Sequence, residues 1–409
     1  MLLFNKNTFS SLKHRDFRYF IVGQAISSIG TWMQRTAQTW LLYTMTNSAF
    51  LVGLLGVFQC GPMLLLSLFS GVIVDRFPKK KLLYITQTAY MIQALILYIL
   101  VFTKSIKCWQ IFALAVISGL VTTLDMPTRQ SYFVELVGKR DLPNAISLNS
   151  TIFNIAKVAG PSIAGIIIYK LGISFCFLFN FLSFIAVFIG IFMISAKDKV
   201  LQKPKESLIE EIKSGLVYVY SNKILLKTVI IMAITCTFAM NIDVISPVFS
   251  KTVLGKGVGG YTMLLSFLGI GSFIGAVKMA GRKRSEITLK LLIYCAFLSS
   301  IFQIAASFSR NLYVCALLVL GSGYANLSFL NTGNSTLQLN TEDKFRGRVM
   351  SVYSLINVGT TPLGNLIVGA SMDNFGGASG FFLSGMVTIV IMIIFCIVNA
   401  KKTSLKKML

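Results

Sequence analysis

Charge is scarce in this chain of 409 residues: 13% of it is Asp, Glu, Lys or Arg, against 55% hydrophobic residues and a mean hydropathy of +0.75. A soluble protein of this length needs more charge to cover its surface. Histidine is nearly absent, His14 being the only one, which excludes His-ligated zinc chemistry and a Ser-His-Asp triad. The seven cysteines form no CxxC pair, and nearly all lie inside apolar runs, where a free thiol packs as a small hydrophobe. A phosphate-binding Gly-x-x-x-x-Gly-Lys-Ser/Thr loop is missing, so ATP hydrolysis would have to reside in another chain. No cluster of nucleophiles, metal ligands or paired carboxylates occurs; Asp75, Asp125 and Glu135 are scattered and matched by cations. The sequence therefore predicts neither an enzyme nor a bound cofactor or metal. Acidic residues are few as well, 14 against 38 Lys and Arg. The resulting +24 charge sits in short loops between apolar runs, the pattern of orientation signals rather than of a nucleic-acid interface.

What is abundant is long apolar sequence. Twelve runs reach the length that a hydrocarbon core of ~30 Å demands, about 20 residues per helix. They are Phe17–Tyr43, Ala49–Val74, Leu82–Thr103, Cys108–Leu124, Ala145–Tyr169 and Ser174–Ser195, then Leu226–Val253, Tyr261–Ala280, Ile287–Phe308, Leu312–Leu330, Arg348–Ala370 and Gly380–Ala400. They are continuous rather than alternating, which argues against a β-barrel. A polar leader runs straight into the first span, so no cleaved signal peptide is expected. The expected fold is an all-α integral membrane protein with two pseudo-symmetric six-helix bundles, residues 1–195 and 228–409. A linker at 196–227 joins them and holds a short amphipathic segment, Leu208–Tyr220. With both ends in the cytoplasm, 30 of the 38 Lys and Arg fall on the cytoplasmic side, as the positive-inside rule requires.

The halves repeat one pattern. Glu135 and Lys139-Arg140-Asp141 follow span four and precede a helix with Gly160-Pro161. Glu342-Asp343-Lys344 and Arg346-Gly347-Arg348 follow span ten and precede a helix with Thr361-Pro362. Parallel repeats of this kind build carriers with a site near the membrane midplane at the repeat interface.

Charges and polar stripes within spans are the best candidates for function, because lipid penalises them. Span one carries Gln24, Ser27, Ser28, Thr31, Gln34, Arg35 and Gln38, most of them at helical spacing. Such a face meets either a wet cavity or a partner helix. Arg35 in span one, Asp243 in span seven and Lys157 in span five are the three clear intramembrane charges. Arg35 and Asp243 are expected to lie on a substrate and proton pathway with Gln34, Gln38 and Asn241. Protonation of Asp243 would weaken an Arg35–Asp243 pair; a purely structural ion pair is the other reading. Lys157 suits an anionic substrate, a nearby carboxylate, or Asp125 if span five begins deeper. Small residues at i,i+4, Gly160 and Ala164, Gly271 and Gly275, predict close helix approach, and Pro161 and Pro362 predict bends.

The sharpest motif is Gly71-x-x-x-Asp75-Arg76-x-x-Lys79-Lys80 between spans two and three. It resembles the signature loop of the major facilitator superfamily. Gly30-Thr31-Trp32-Met33-Gln34, Asp125-Met126-Pro127-Thr128-Arg129-Gln130, Asn144-Ala145 through Gly160-Pro161-Ser162-Ile163-Ala164-Gly165, and Asn241 with Pro247 resemble the macrolide-efflux and enterobactin-exporter-like branch. The resemblance implies a cytoplasmic latch made of Gly71, Asp75, Arg76, Lys79, Lys80, Asp125 and Arg129. Asp75 would face Arg346 to Arg348, and Arg76 would lie near Asp125 at the end of span four. It further implies secondary active export of small amphipathic molecules, drugs or siderophores, with protons as coupling ion. The expected setting is a monomer among the lipids of a bacterial cytoplasmic membrane. A lipid or lysophospholipid translocator on the same fold, or the membrane subunit of an ATP-driven pump, are the alternatives.

Overall fold

The computed structural model describes residues 10–194, 208–342 and 345–408, without side-chain detail at 67–69, 71–72, 75, 208–213, 215 and 398–408. Among the described residues every regular element is a helix. These are α1 (Arg15–Thr46), α2 (Ala49–Arg76), α3 (Lys79–Phe102), α4 (Cys108–Lys170), α5 (Ser174–Phe192), α6 (Leu208–Ser221), α7 (Lys223–Phe238), α8 (Ile242–Thr252), α9 (Gly257–Ala280), α10 (Leu289–Phe308), α11 (Leu312–Leu339), α12 (Arg346–Gly359), α13 (Thr361–Phe375) and α14 (Ala378–Met408). Nine stretches within the described residues are long and apolar enough to cross a membrane. That number understates the spans. α4 is 63 residues long and holds two of them, joined across Gly138 at φ 70°, ψ 172°, a conformation that glycine adopts without steric cost. The polar α1 and the broken α12–α13 pair complete the twelve.

Three boundaries differ from the sequence reading. Span four does not stop at Leu124 but runs on to the Gly138 kink, because Pro127 interrupts the apolar pattern without breaking the helix. Span seven breaks into α7 and α8 at Ala239–Asn241. Span eleven breaks at Thr360, with Pro362 in the first turn of α13, where a missing N–H costs nothing. Pro161, by contrast, sits inside continuous helix. The amphipathic linker segment forms α6. Asp343, Lys344 and linker residues 196–207 lie outside the described residues.

The chain forms two compact units: residues 1–46 with 58–205, and residues 47–57 with 206–409. The first eleven residues around the start of α2 thus pack with the second unit.

In the first unit an aromatic core joins α1, α4 and α5. Phe17 and Phe20 meet Phe133 edge to face at 5.8 Å each, alongside Val187 and Ile191. In the second, Met232, Cys236, Phe329, Val352 and Met392 form the corresponding core. Helices in lipid gain little from apolar burial against one another and depend on close packing. The glycines supply it. A side chain at Gly160 would strike Cβ of Trp32 on α1 at 2.5 Å, and one at Gly271 or Gly275 would strike the backbone of α11 at Leu320 or Tyr324. Ala164 and Pro161 are buried with Gly160.

Candidate functional site

The polar stripe of α1 divides in two. Gln34 is buried, donating to Oε1 of Gln93 on α3 (2.9 Å) and accepting from Nδ2 of Asn180 on α5 (2.8 Å). Gln38, also buried, donates to the Ile111 carbonyl at 3.4 Å. These two glutamines tie helices together. The other part of the stripe stays open: Ser28 is half-buried, and Thr31 and Arg35 are exposed on one face. Beside them runs the second half of α4, where Asn154 and Lys157 share a face and are both half-buried.

Trp32 is the hinge between these two faces. The Arg35 guanidinium lies 5.6 Å from its ring centroid and the Lys157 ammonium 5.7 Å from the same centroid. Phe153 packs edge to face on the indole at 5.5 Å. Gly160 against Cβ of Trp32 sets how near the two helices come. Neither cation has an ion pair among the described residues. At 1.5 Å per residue, Arg35 lies about 16 Å short of the end of α1 at Thr46, and Lys157 about 20 Å short of Lys170. Both therefore sit deep within a hydrocarbon core of about 30 Å.

Elsewhere in the first unit three residues of the expected latch, Lys79, Asp125 and Arg129, lie in two buried charge clusters. Asp125 is 5% exposed and pairs with Arg129 one turn on in α4. Its Oδ1 accepts from Thr86 Oγ1 (2.8 Å) and Gln87 Nε2 (2.7 Å) of α3. The sequence reading set Asp125 at a helix end beside Arg76. The extension of span four places it inside the helix instead, with Arg129 as its cation, while Arg76 is exposed. Lys79 is fully buried with Glu135 at 3.8 Å, and Lys80 donates to the Ile194 carbonyl at 2.6 Å. Gly71 and Asp75 are described only as helical backbone. Near the N-terminus His14 binds Asp141 at 2.9 Å, and this hydrogen bond, with a second from Ser10, holds the Asp141 carboxyl below its ordinary value of 3.8.

In the second unit the break of span seven organises the polar groups. Gln303 of α10 and Asn326 of α11 both donate to the carbonyl of Ala239, at 3.0 and 3.3 Å, satisfying a group that the broken helix leaves free. Asn241 is buried, its amide donating to the Thr237 and Phe238 carbonyls at 2.6 and 3.0 Å. Asp243 is exposed in the first turn of α8, where the helix dipole favours an anion.

Sequence reasoning missed Trp32 as the ring shared by two cations, and it missed Asp373. Asp373 of α13 covers the start of α2: its carboxylate accepts from the Ala49 amide (2.6 Å), the Phe50 amide (3.0 Å) and the Ser48 hydroxyl (2.7 Å). Asp373 lies where a loop carboxylate is unremarkable in sequence. Gln93, Asn180 and Gln303 offered a signal, being amides inside apolar runs.

A family model described as transmembrane secretion effector matches residues 6–408. The staphyloferrin A transporter of Staphylococcus aureus is 26% identical over 94% of this chain and 96% of its own length. Macrolide efflux protein A of Streptococcus pyogenes is 21% identical over 94% and 96%. Among solved structures, the nucleoside transporter NupG superposes with a TM-score of 0.72 at 12% identity, covering 92% of this chain and 98% of its own.

Proposed function

The chain belongs to the transmembrane secretion effector family of the major facilitator superfamily, and from that membership we propose that it is a proton-coupled exporter of small amphipathic molecules, working by alternating access. The observation that carries this reading is the open hydrophilic face of the first unit, where Ser28, Thr31 and Arg35 of α1 stand beside Asn154 and Lys157 of α4. A polar face this deep in a span meets either a partner helix or a wet cavity, and Thr31 and Arg35 stay exposed rather than tied to a helix. Macrolide efflux by a relative that matches almost end to end supports the outward direction. The basic loops support an orientation with both termini in the cytoplasm of a bacterium and the span in its inner membrane.

Proton coupling is assigned to Asp243. It is exposed, lies in a broken span, and sits in a helix turn whose N–H groups stabilise its charged form. Protonation removes that interaction. The clusters of Asp125 with Arg129 and Lys79 with Glu135 are assigned to the cytoplasmic latch; each must stay paired, since a buried charge left alone is costly.

The test is accumulation of a panel of drugs and siderophores in an efflux-deficient host expressing the chain, with and without an uncoupler. Lower accumulation that the uncoupler reverses is the expected outcome. Asp243→Asn should retain binding and lose the proton dependence. Accumulation unchanged for the whole panel, or export that responds to ATP depletion and not to the uncoupler, would refute it.

A further inference from the structure

Within that exporter reading, we propose that Arg35, Lys157 and Trp32 form the substrate-binding subsite for anions, so that the exported molecule carries at least two negative charges, of the polycarboxylate class. Three observations converge. Two cations from different helices approach one indole ring, at 5.6 and 5.7 Å from its centroid. Both lie far from the ends of their spans, out of reach of lipid headgroups, so only cavity water or a ligand can meet them. And the described part of the first unit holds no carboxylate to balance them. Its acids are committed elsewhere: Asp125 to Arg129, Thr86 and Gln87, Glu135 to Lys79, and Asp141 to His14, while Asp16 stands in the first turn of α1.

The attraction to the ring does not substitute for a counter-ion. A cation over an aromatic face gains roughly 0.5–2 kcal/mol, which is less than the cost of a charge at mid-membrane, about 2.5–3.5 kcal/mol on insertion scales. Two such cations side by side also repel each other. What the ring does well is hold both side chains in place without neutralising them, leaving their N–H groups for a ligand. A guanidinium presents a fork that matches a carboxylate, and the ammonium a point charge for a second one. The edge of Phe153 and the exposed hydroxyl of Thr31 provide an apolar wall and a donor on the same face. A monovalent or cationic drug would leave one cation uncompensated, or both.

Trp32 also reports on the site. The chain has three tryptophans, Trp32, Trp40 and Trp109, so a Trp40→Phe, Trp109→Phe background leaves one fluorophore. Purified full-length protein in nanodiscs is titrated with citrate, with its neutral triethyl ester, and with sodium chloride at matched ionic strength. A saturable change in Trp32 emission with citrate alone is expected. Its midpoint should rise at least tenfold in Arg35→Gln and in Lys157→Gln, and should recover in part in Arg35→Lys. Melting curves of each variant show that it is folded. Citrate and ester acting alike, a midpoint indifferent to both Gln variants, or no response in folded protein overturns the assignment. Uncoupler-sensitive export of radiolabelled citrate and of ethidium, a monocation, by the unsubstituted chain separates the two ideas. Ethidium export by a folded chain that shows no citrate response sinks the anion subsite and leaves the exporter. Citrate binding in a chain that exports no compound sinks the exporter and leaves the site.

Discussion

Removing the carboxylate of Asp373 should loosen the start of α2 from α13. The N-terminal N–H groups of α2 are covered by two residues: Ser48 Oγ accepts from Leu51 N at 3.3 Å, and Asp373 accepts from Ala49 N and Phe50 N. Asp373 is thus a helix cap delivered by a different helix, so the cap exists only while α2 and α13 stay together. Loss of an N-cap costs about 1 kcal/mol. The charge adds a few tenths of a kcal/mol at an exposed position. The sum is about 1.4 kcal/mol, or tenfold in the equilibrium for separating the two helices. Asn365 reports that separation. It is 9% exposed, its carbonyl faces Gly53, and its amide nitrogen faces Gly56. In a background lacking the seven native cysteines, Asn365→Cys reacts with a water-soluble maleimide only when α2 has moved away. Asp373→Ala should accelerate labelling about tenfold under conditions where reclosing outpaces reaction. Asp373→Asn keeps one acceptor and should fall between. Equal labelling rates in all three proteins would refute the reasoning.

Gln93→Leu leaves Gln34 without an acceptor and frees the Leu114 carbonyl; interhelical polar bonds in membranes are worth about 0.6–2 kcal/mol, so a lowered melting temperature in detergent is expected, and a double-mutant cycle with Gln34→Leu should show coupling of that order. Gly271→Val drives a side chain into the Leu320 carbonyl of α11; helix backbones do not yield easily, and loss of folded protein on size-exclusion chromatography is expected, where Gly259→Val, which meets nothing, should be tolerated. The Asp141 carboxyl, held below 3.8 by His14, tethers the segment around Ser10–Lys13. A depressed carboxyl stabilises the folded form above its free pKa and loses that contribution as the pH falls through the folded value. Proteolysis of this segment should therefore set in on acidification below about pH 4, and at a higher pH in His14→Ala; an unchanged profile would remove the tether.

Much of the molecule was legible before any coordinates. The apolar runs marked the spans, the cations marked one side, and the amphipathic pattern of 208–220 marked α6. The Gly71 to Lys80 loop and the branch-like segments pointed to the family that the comparison bears out. Site chemistry was legible only as a shortlist. A polar residue in a span announces that it avoids lipid, but not whether it meets another helix or water. Gln34 and Gln38 turned out to be helix ties, while Arg35, one residue on from Gln34, stays open, because adjacent residues on a helix point about 100° apart and only the neighbours decide what each one meets.

The sequence by itself determined how many times the chain crosses the bilayer and which loops share a side, because hydrocarbon accepts only closed helices and loop charges resist transfer. It also determined the intramembrane charges. Tertiary structure alone decided which groups share an environment: Trp32 beside Lys157, Asp125 with Thr86 and Gln87, Asp373 over the start of α2. Those meetings join residues tens or hundreds of positions apart, and their distances follow from how closely glycines such as Gly160 let two helices pack, which no local pattern records.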